Sequence, residues 1–168
     1  MISSKEVLLT QEQAEERLRY WQHKLNLQDW DIVVEVCRMK DIDGDAKVFY
    51  QETMKNAKIW LGNTIDYSPT IPQPLDMEQG LVHELGHILL AGITRETGKN
   101  DGNYDQYVKM ENAVEAFAWA LISLDRRAEE TENYYMNLLY PKQPLSLMAG
   151  DMAVHIRTAD QQDGGPGL

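Results

Sequence analysis

The chain reads as an α+β domain in which about three strands form one small, mostly antiparallel sheet among helices. Three observations lead there. An amphipathic helical pattern opens the chain, short β-branched segments follow between Trp30 and Leu61, and helical periodicity returns from Asp76 onward. The 168 residues amount to about one domain. It is expected over residues 1–148, with a flexible C-terminal tail over 149–168.

The first helix runs from about Thr10 to Leu25. Ala14, Leu18, Trp21 and Leu25 recur at spacings of three and four, and Thr10 with Gln13 forms a capping box. Trp30 to Cys37 carries consecutive β-branched residues and is expected to be a strand. Asp41 to Asp45 is a turn in which Gly44 supplies a positive φ. Two further strands are expected at Ala46–Gln51 and Ala57–Leu61, the second ended by Gly62-Asn63. Pro69, Pro72 and Pro74 keep residues 66–75 out of helix.

Asp76 starts a second helix, with Gln79 as the reciprocal cap, and the helix ends near Gly92. The polar stretch from Thr94 to Asn103 is a loop. A third helix from about Tyr104 to Arg127 carries Val108, Met110, Val114, Phe117, Leu121 and Leu124 broadly on one side. A fourth is expected from Glu130 to Leu139, stopped by Pro141 and Pro144. From Ala149 the periodicity disappears.

Composition narrows the function. An apolar fraction of 43% and a charged fraction of 26% exclude wholesale disorder. A net charge of −11 opposes binding to nucleic acid or anionic lipid. The single cysteine, Cys37, excludes an intrachain disulfide framework and a Cys-rich zinc ribbon. No apolar leader follows Lys5, and no apolar run reaches 18 residues. A cytoplasmic protein is expected, with neither nucleic acid nor membrane as partner.

The chemistry concentrates in His83-Glu84-Leu85-Gly86-His87, inside the second helix. Residues four apart share a helical face, so His83 and His87 can offer imidazole nitrogens to one ion. Glu84 lies about 100° further round, where its carboxylate can reach a water on that ion as general base. This is the HExxH pattern of zinc peptidases. A catalytic zinc takes three protein ligands and keeps one position open. The metzincin pattern fails, because Leu90 and Ile93 occupy the positions where it requires Gly and His. The gluzincin pattern asks for a Glu on a following helix, and Glu111 and Glu115 lie one turn apart in an apolar stretch. Carboxylates on such a stripe are costly unless paired or metal-bound. Glu111 is assigned as the third ligand. Glu115 is assigned as the carboxylate that orients one imidazole. Spacing alone would also allow the two roles to be exchanged, or Asp105 to replace Glu111.

These residues resemble a small gluzincin, a minimal relative of the thermolysin-like zinc peptidases. The resemblance is specific over residues 76–124 and loose over 30–62. In that family an Asp follows the Glu ligand by four residues. Here Glu115 takes that position, one methylene longer. The resemblance implies a zincin-like fold, with a small antiparallel sheet packed on the active-site helix and the Glu-bearing helix following. It implies one Zn²⁺ ion, a peptide or protein substrate, and an edge strand that pairs with the substrate. The strand expected there includes Ala57, Ile59 and Trp60. Phe117-Ala118 is similar to a pair found in compact repressor-cleaving metallopeptidases of mobile elements, but at a different spacing.

Tyr104, Tyr107 and His155 qualify by residue type as oxyanion donors. His23, on the first helix, is expected at the surface. The alternative to a peptidase is a non-catalytic module of the same fold, stapled by zinc. Its closed site would need a fourth ligand, for which His155 or Asp101 could serve.

Overall fold

The structure, a computed structural model, describes residues 6–42, 44–66, 74–91 and 104–140. It is α+β, with three helices and a three-stranded mixed sheet among the described residues. No helix there is long and apolar enough to cross a membrane.

Helix α1 spans Gln11–Lys24 and starts as its local sequence dictates. Thr10 N–H donates to Gln13 Oε1 at 2.9 Å, and Gln13 N–H donates to Thr10 Oγ1 at 3.3 Å. Ala14, Leu18 and Trp21 are buried along one stripe. The strands are β1 (Asp31–Arg38), β2 (Ala46–Gln51) and β3 (Asn56–Asn63). Gly44 takes φ 127°, as the turn before β2 requires.

The sheet order is β1-β3-β2. β3 pairs antiparallel with β2 but parallel with β1, so the expected mostly antiparallel sheet is corrected to a mixed one. The reason is tertiary pairing. β3 has no exposed residue, and its Ala57, Ile59 and Leu61 are buried in the core. It therefore takes the central place, where ladders flank it on both sides. β2 returns into it through a tight turn in which Lys55 adopts a left-handed φ of 48°. β1 then lies along its other side, with Val34 opposite Ile59.

Helix α2 spans Met77–Leu89, and Asp76 caps it by accepting Gln79 N–H at 3.0 Å. The Gln79 side chain, expected to return that bond, instead reaches across to the next helix. Leu81, Val82, Leu85 and Ile88 join the core beneath the sheet. Helix α3 is one helix, Tyr104–Leu139, so the expected break between Arg127 and Glu130 is corrected. Arg126 to Glu130 contains only good helix formers, and nothing in it stops a helix. The buried stripe of α3 is Val114, Ala118, Ile122 and Asp125, while Leu124 is exposed. This stripe is rotated from the one expected.

Two buried carboxylates tie the helices together. Glu78 and Asp125 both pair with Arg17, the second at 3.2 Å. Trp21 Nε1–H donates to Glu78 at 3.0 Å, and the Tyr20 hydroxyl donates to Asp125. Gly86 matters for the approach of α3. A Cβ there would lie 2.9 Å from Val114 Cγ1, so only glycine lets α2 and α3 come this close.

The chain divides into two compact units, Met1–Asp125 and Arg126–Leu168. The sheet, α1, α2 and α3 up to Asp125 belong to the first. In the second, the described residues are helical to Leu139, and Thr131 Oγ1–H bonds the Arg127 carbonyl at 2.8 Å. The boundary expected at residue 148 lies outside the described residues. The tail expected over 149–168 lies outside the described residues.

Candidate metal centre

α2 sets His83 and His87 one turn apart, their rings edge to face with centroids 4.9 Å apart. α3 brings Glu111 opposite them. The three facing atoms form a compact triangle. His83 Nε2 lies 3.1 Å from His87 Nε2, and Glu111 Oε2 lies 3.4 Å and 3.6 Å from the two nitrogens. A tetrahedral ion with bonds of about 2.0–2.1 Å keeps its donors about 3.3–3.4 Å apart. A circle through the three atoms has a radius of about 2 Å, so such an ion fits just outside their plane. Two imidazoles and one carboxylate also match the nitrogen and oxygen donors that zinc accepts. These three are the residues able to hold a metal ion among the described residues.

Glu84 points beside this triangle and is 7% exposed. Burial pushes its carboxyl up to about 8, and the charge of Glu111 adds to the rise. The backbone N–H of Val48, bonded to the carboxylate, opposes it. Burial lowers the His87 pKa, Glu111 works against that shift, and the His83 ring adds to it. The unprotonated nitrogen that a metal needs is thereby favoured at His87. Tyr107, one turn before Glu111, bonds its carboxylate; burial first, and Glu111 second, raise the phenol pKa.

Glu115 sits against His83, with Oε2 2.9 Å from Nδ1. The same oxygen accepts Gln79 Nε2–H at 2.9 Å, and Oε1 accepts Trp119 Nε1–H at 2.8 Å. Sequence reasoning names neither Gln79 nor Trp119 for the site. A signal is present, since Gln79 is one turn from His83 and Trp119 one turn from Glu115.

The triangle opens into a cleft of about 490 Å³ that β2 borders through Lys47, Val48 and Tyr50. This corrects the expectation for Ala57, Ile59 and Trp60. β3 is the central strand, its backbone paired on both sides, and Ala57 and Ile59 face the core. Among the described residues the edge beside the metal centre is β2. Its presence could not be read from local sequence, because Val48 meets Glu84 only through tertiary packing.

Asp105 is exposed in the first turn of α3 and is not brought to the triangle. Tyr104 is 69% exposed, whereas Tyr107 lines the cleft. His23 is exposed near the end of α1. Asp101 and His155 lie outside the described residues. No family model, curated protein or solved structure matches the chain.

Proposed function

We propose that the chain is a zinc-dependent peptidase of gluzincin type, built on a minimal zincin-like fold and working in the cytoplasm on peptide or protein substrates. The observation that carries this reading is the separation of the three donors, 3.1, 3.4 and 3.6 Å, beside a buried carboxylate one residue from the first histidine. His83, His87 and Glu111 would hold the ion. Bound zinc would supply Lewis acidity at the scissile carbonyl and a lowered pKa for water in the open position.

Glu84 acts as the proton carrier. Burial makes its carboxylate a stronger base than a solvated one, since its pKa lies at about 8 in the metal-free protein. A neighbouring dication moves it back towards ionisation. Glu84 therefore accepts a proton from the attacking water and returns it to the departing amine. Val48 N–H keeps the carboxylate aimed. Glu115 holds His83 from the opposite ring nitrogen. An extended substrate adds to β2, the edge strand beside the centre among the described residues, whose residues share the cleft with His83, Glu84 and His87.

The test compares zinc content and hydrolysis of an unstructured protein such as casein. Wild type is expected to bind one zinc and to cleave. Glu84→Gln is expected to keep the zinc and lose cleavage. If Glu84→Gln cleaves as fast as wild type, the proton carrier is assigned wrongly. Zinc held by wild type through four protein ligands, with no cleavage, would favour a zinc-stapled module instead.

A further inference from the structure

Glu115 presents a physical problem. Its side chain is 48% exposed and has one more rotatable bond than an aspartate in the same position. Fixing a free glutamate costs rotamer entropy. Water also competes for an exposed carboxylate, so an unsupported Glu115 would hold His83 poorly.

The carboxylate is nevertheless bonded through both oxygens. Gln79 Nε2–H donates to Oε2 at 2.9 Å, Trp119 Nε1–H donates to Oε1 at 2.8 Å, and His83 Nδ1 lies 2.9 Å from Oε2. An ionised carboxylate only accepts, so neutral His83 carries its proton on Nδ1. Its Nε2, the atom in the donor triangle, is then bare. Gln79 belongs to α2 and Trp119 to α3, so the carboxylate joins the two helices that supply the triangle. The Gln79 side chain has also turned away from the capping role its position suggested. The half-buried indole covers one oxygen, and its N–H is a donor of fixed direction.

We propose that Trp119 and Gln79 are positioning residues that lock Glu115 against His83 and so set how tightly the triangle takes a divalent cation. This rests on the zinc-site reading above. The two donors do for a glutamate what a shorter side chain would achieve by stiffness.

The test measures Zn²⁺ affinity of the full chain by competition with a chromophoric chelator. Glu115→Gln is expected to weaken binding by about 10- to 100-fold, and Trp119→Phe by about 3- to 10-fold. In the Glu115→Gln background, Trp119→Phe should add less than twofold, because its partner is already altered. A separate readout needs no metal. The Trp119 indole N–H resonance, assigned through Trp119→Phe, should lie downfield and move upfield in Glu115→Gln.

If Trp119→Phe changes zinc affinity less than twofold, or acts independently of Glu115→Gln, the proposal is overturned while the zinc site stands. An indole signal indifferent to Glu115→Gln overturns it as well. Wild type without zinc affinity overturns both readings. Should Trp119→Phe fail to fold, Gln79→Met must give the same loss and the same non-additivity.

Discussion

Replacing Glu84 by Gln should change how the metal-free protein responds to pH. In the folded state the carboxyl is pushed from an ordinary 4.5 up to about 8. The folded state therefore holds this proton more tightly than the unfolded chain. The contribution is fully present below pH 4.5 and is lost as pH rises towards 8. Between pH 5 and pH 8 the loss comes to about 3–4 kcal/mol, since a proton kept by the folded state alone costs about 1.4 kcal/mol for every step of one in pH. His87 acts in the opposite sense. Its lowered pKa costs stability as pH falls, in both proteins. The assay is urea unfolding of wild type and Glu84→Gln in EDTA at pH 5, 6, 7 and 8. Glu84→Gln should gain about 3–4 kcal/mol on wild type across that range, with unchanged m values. Saturating zinc should flatten the wild-type slope, because the dication favours the ionised carboxylate. Parallel stability curves for the two metal-free proteins would refute the claim that Glu84 is held in a protonating pocket.

Other consequences can be measured on the same material. Arg17→Met removes the guanidinium that Glu78 and Asp125 share, leaving Lys24 at 3.4 Å on Asp125, and urea unfolding at pH 7 should show a loss of about 3 kcal/mol. Gly86→Ala places a methyl 2.9 Å from Val114 Cγ1. The strain of about 1–3 kcal/mol should exceed the gain in helix propensity of about 1 kcal/mol. Val114→Ala in the same chain should relieve it, with a coupling of at least about 1 kcal/mol in a double-mutant cycle; strict additivity would contradict the packing. Thr10→Ala removes half of the α1 capping box and should lower stability by about 1 kcal/mol in thermal unfolding.

The parts legible in the sequence are those set by near neighbours. Thr10 and Gln13 mark the start of α1, and Asp76 marks α2, because caps act over three residues. The His83–His87 and Glu111–Glu115 pairs can be read because helical spacing fixes which side chains share a face. What escapes depends on partners far along the chain. β3 takes the centre of the sheet by pairing with β1 and β2 at once, and nothing within Asn56–Asn63 states that order. Val48 reaches Glu84 only after β2 has packed on α2. The buried stripe of α3 turns from the expected one because Asp125 is drawn to Arg17 and Tyr20. The length of α3 escapes for a local reason. Pro141 and Pro144 mark the stop after Leu139, but no residue marks a break between Arg127 and Glu130, and the helix formers there carry a single helix through.

The central claim is that His83, His87 and Glu111 together hold a zinc ion with one position left open. A crystal structure of the zinc-loaded protein, with anomalous scattering recorded at the zinc edge, tests it most directly. The account predicts one peak bonded to Nε2 of His83, Nε2 of His87 and a carboxylate oxygen of Glu111, with a water as the fourth donor and Glu115 on His83 Nδ1. A peak bonded to Glu115 instead of Glu111, a fourth protein ligand, or no peak would contradict it.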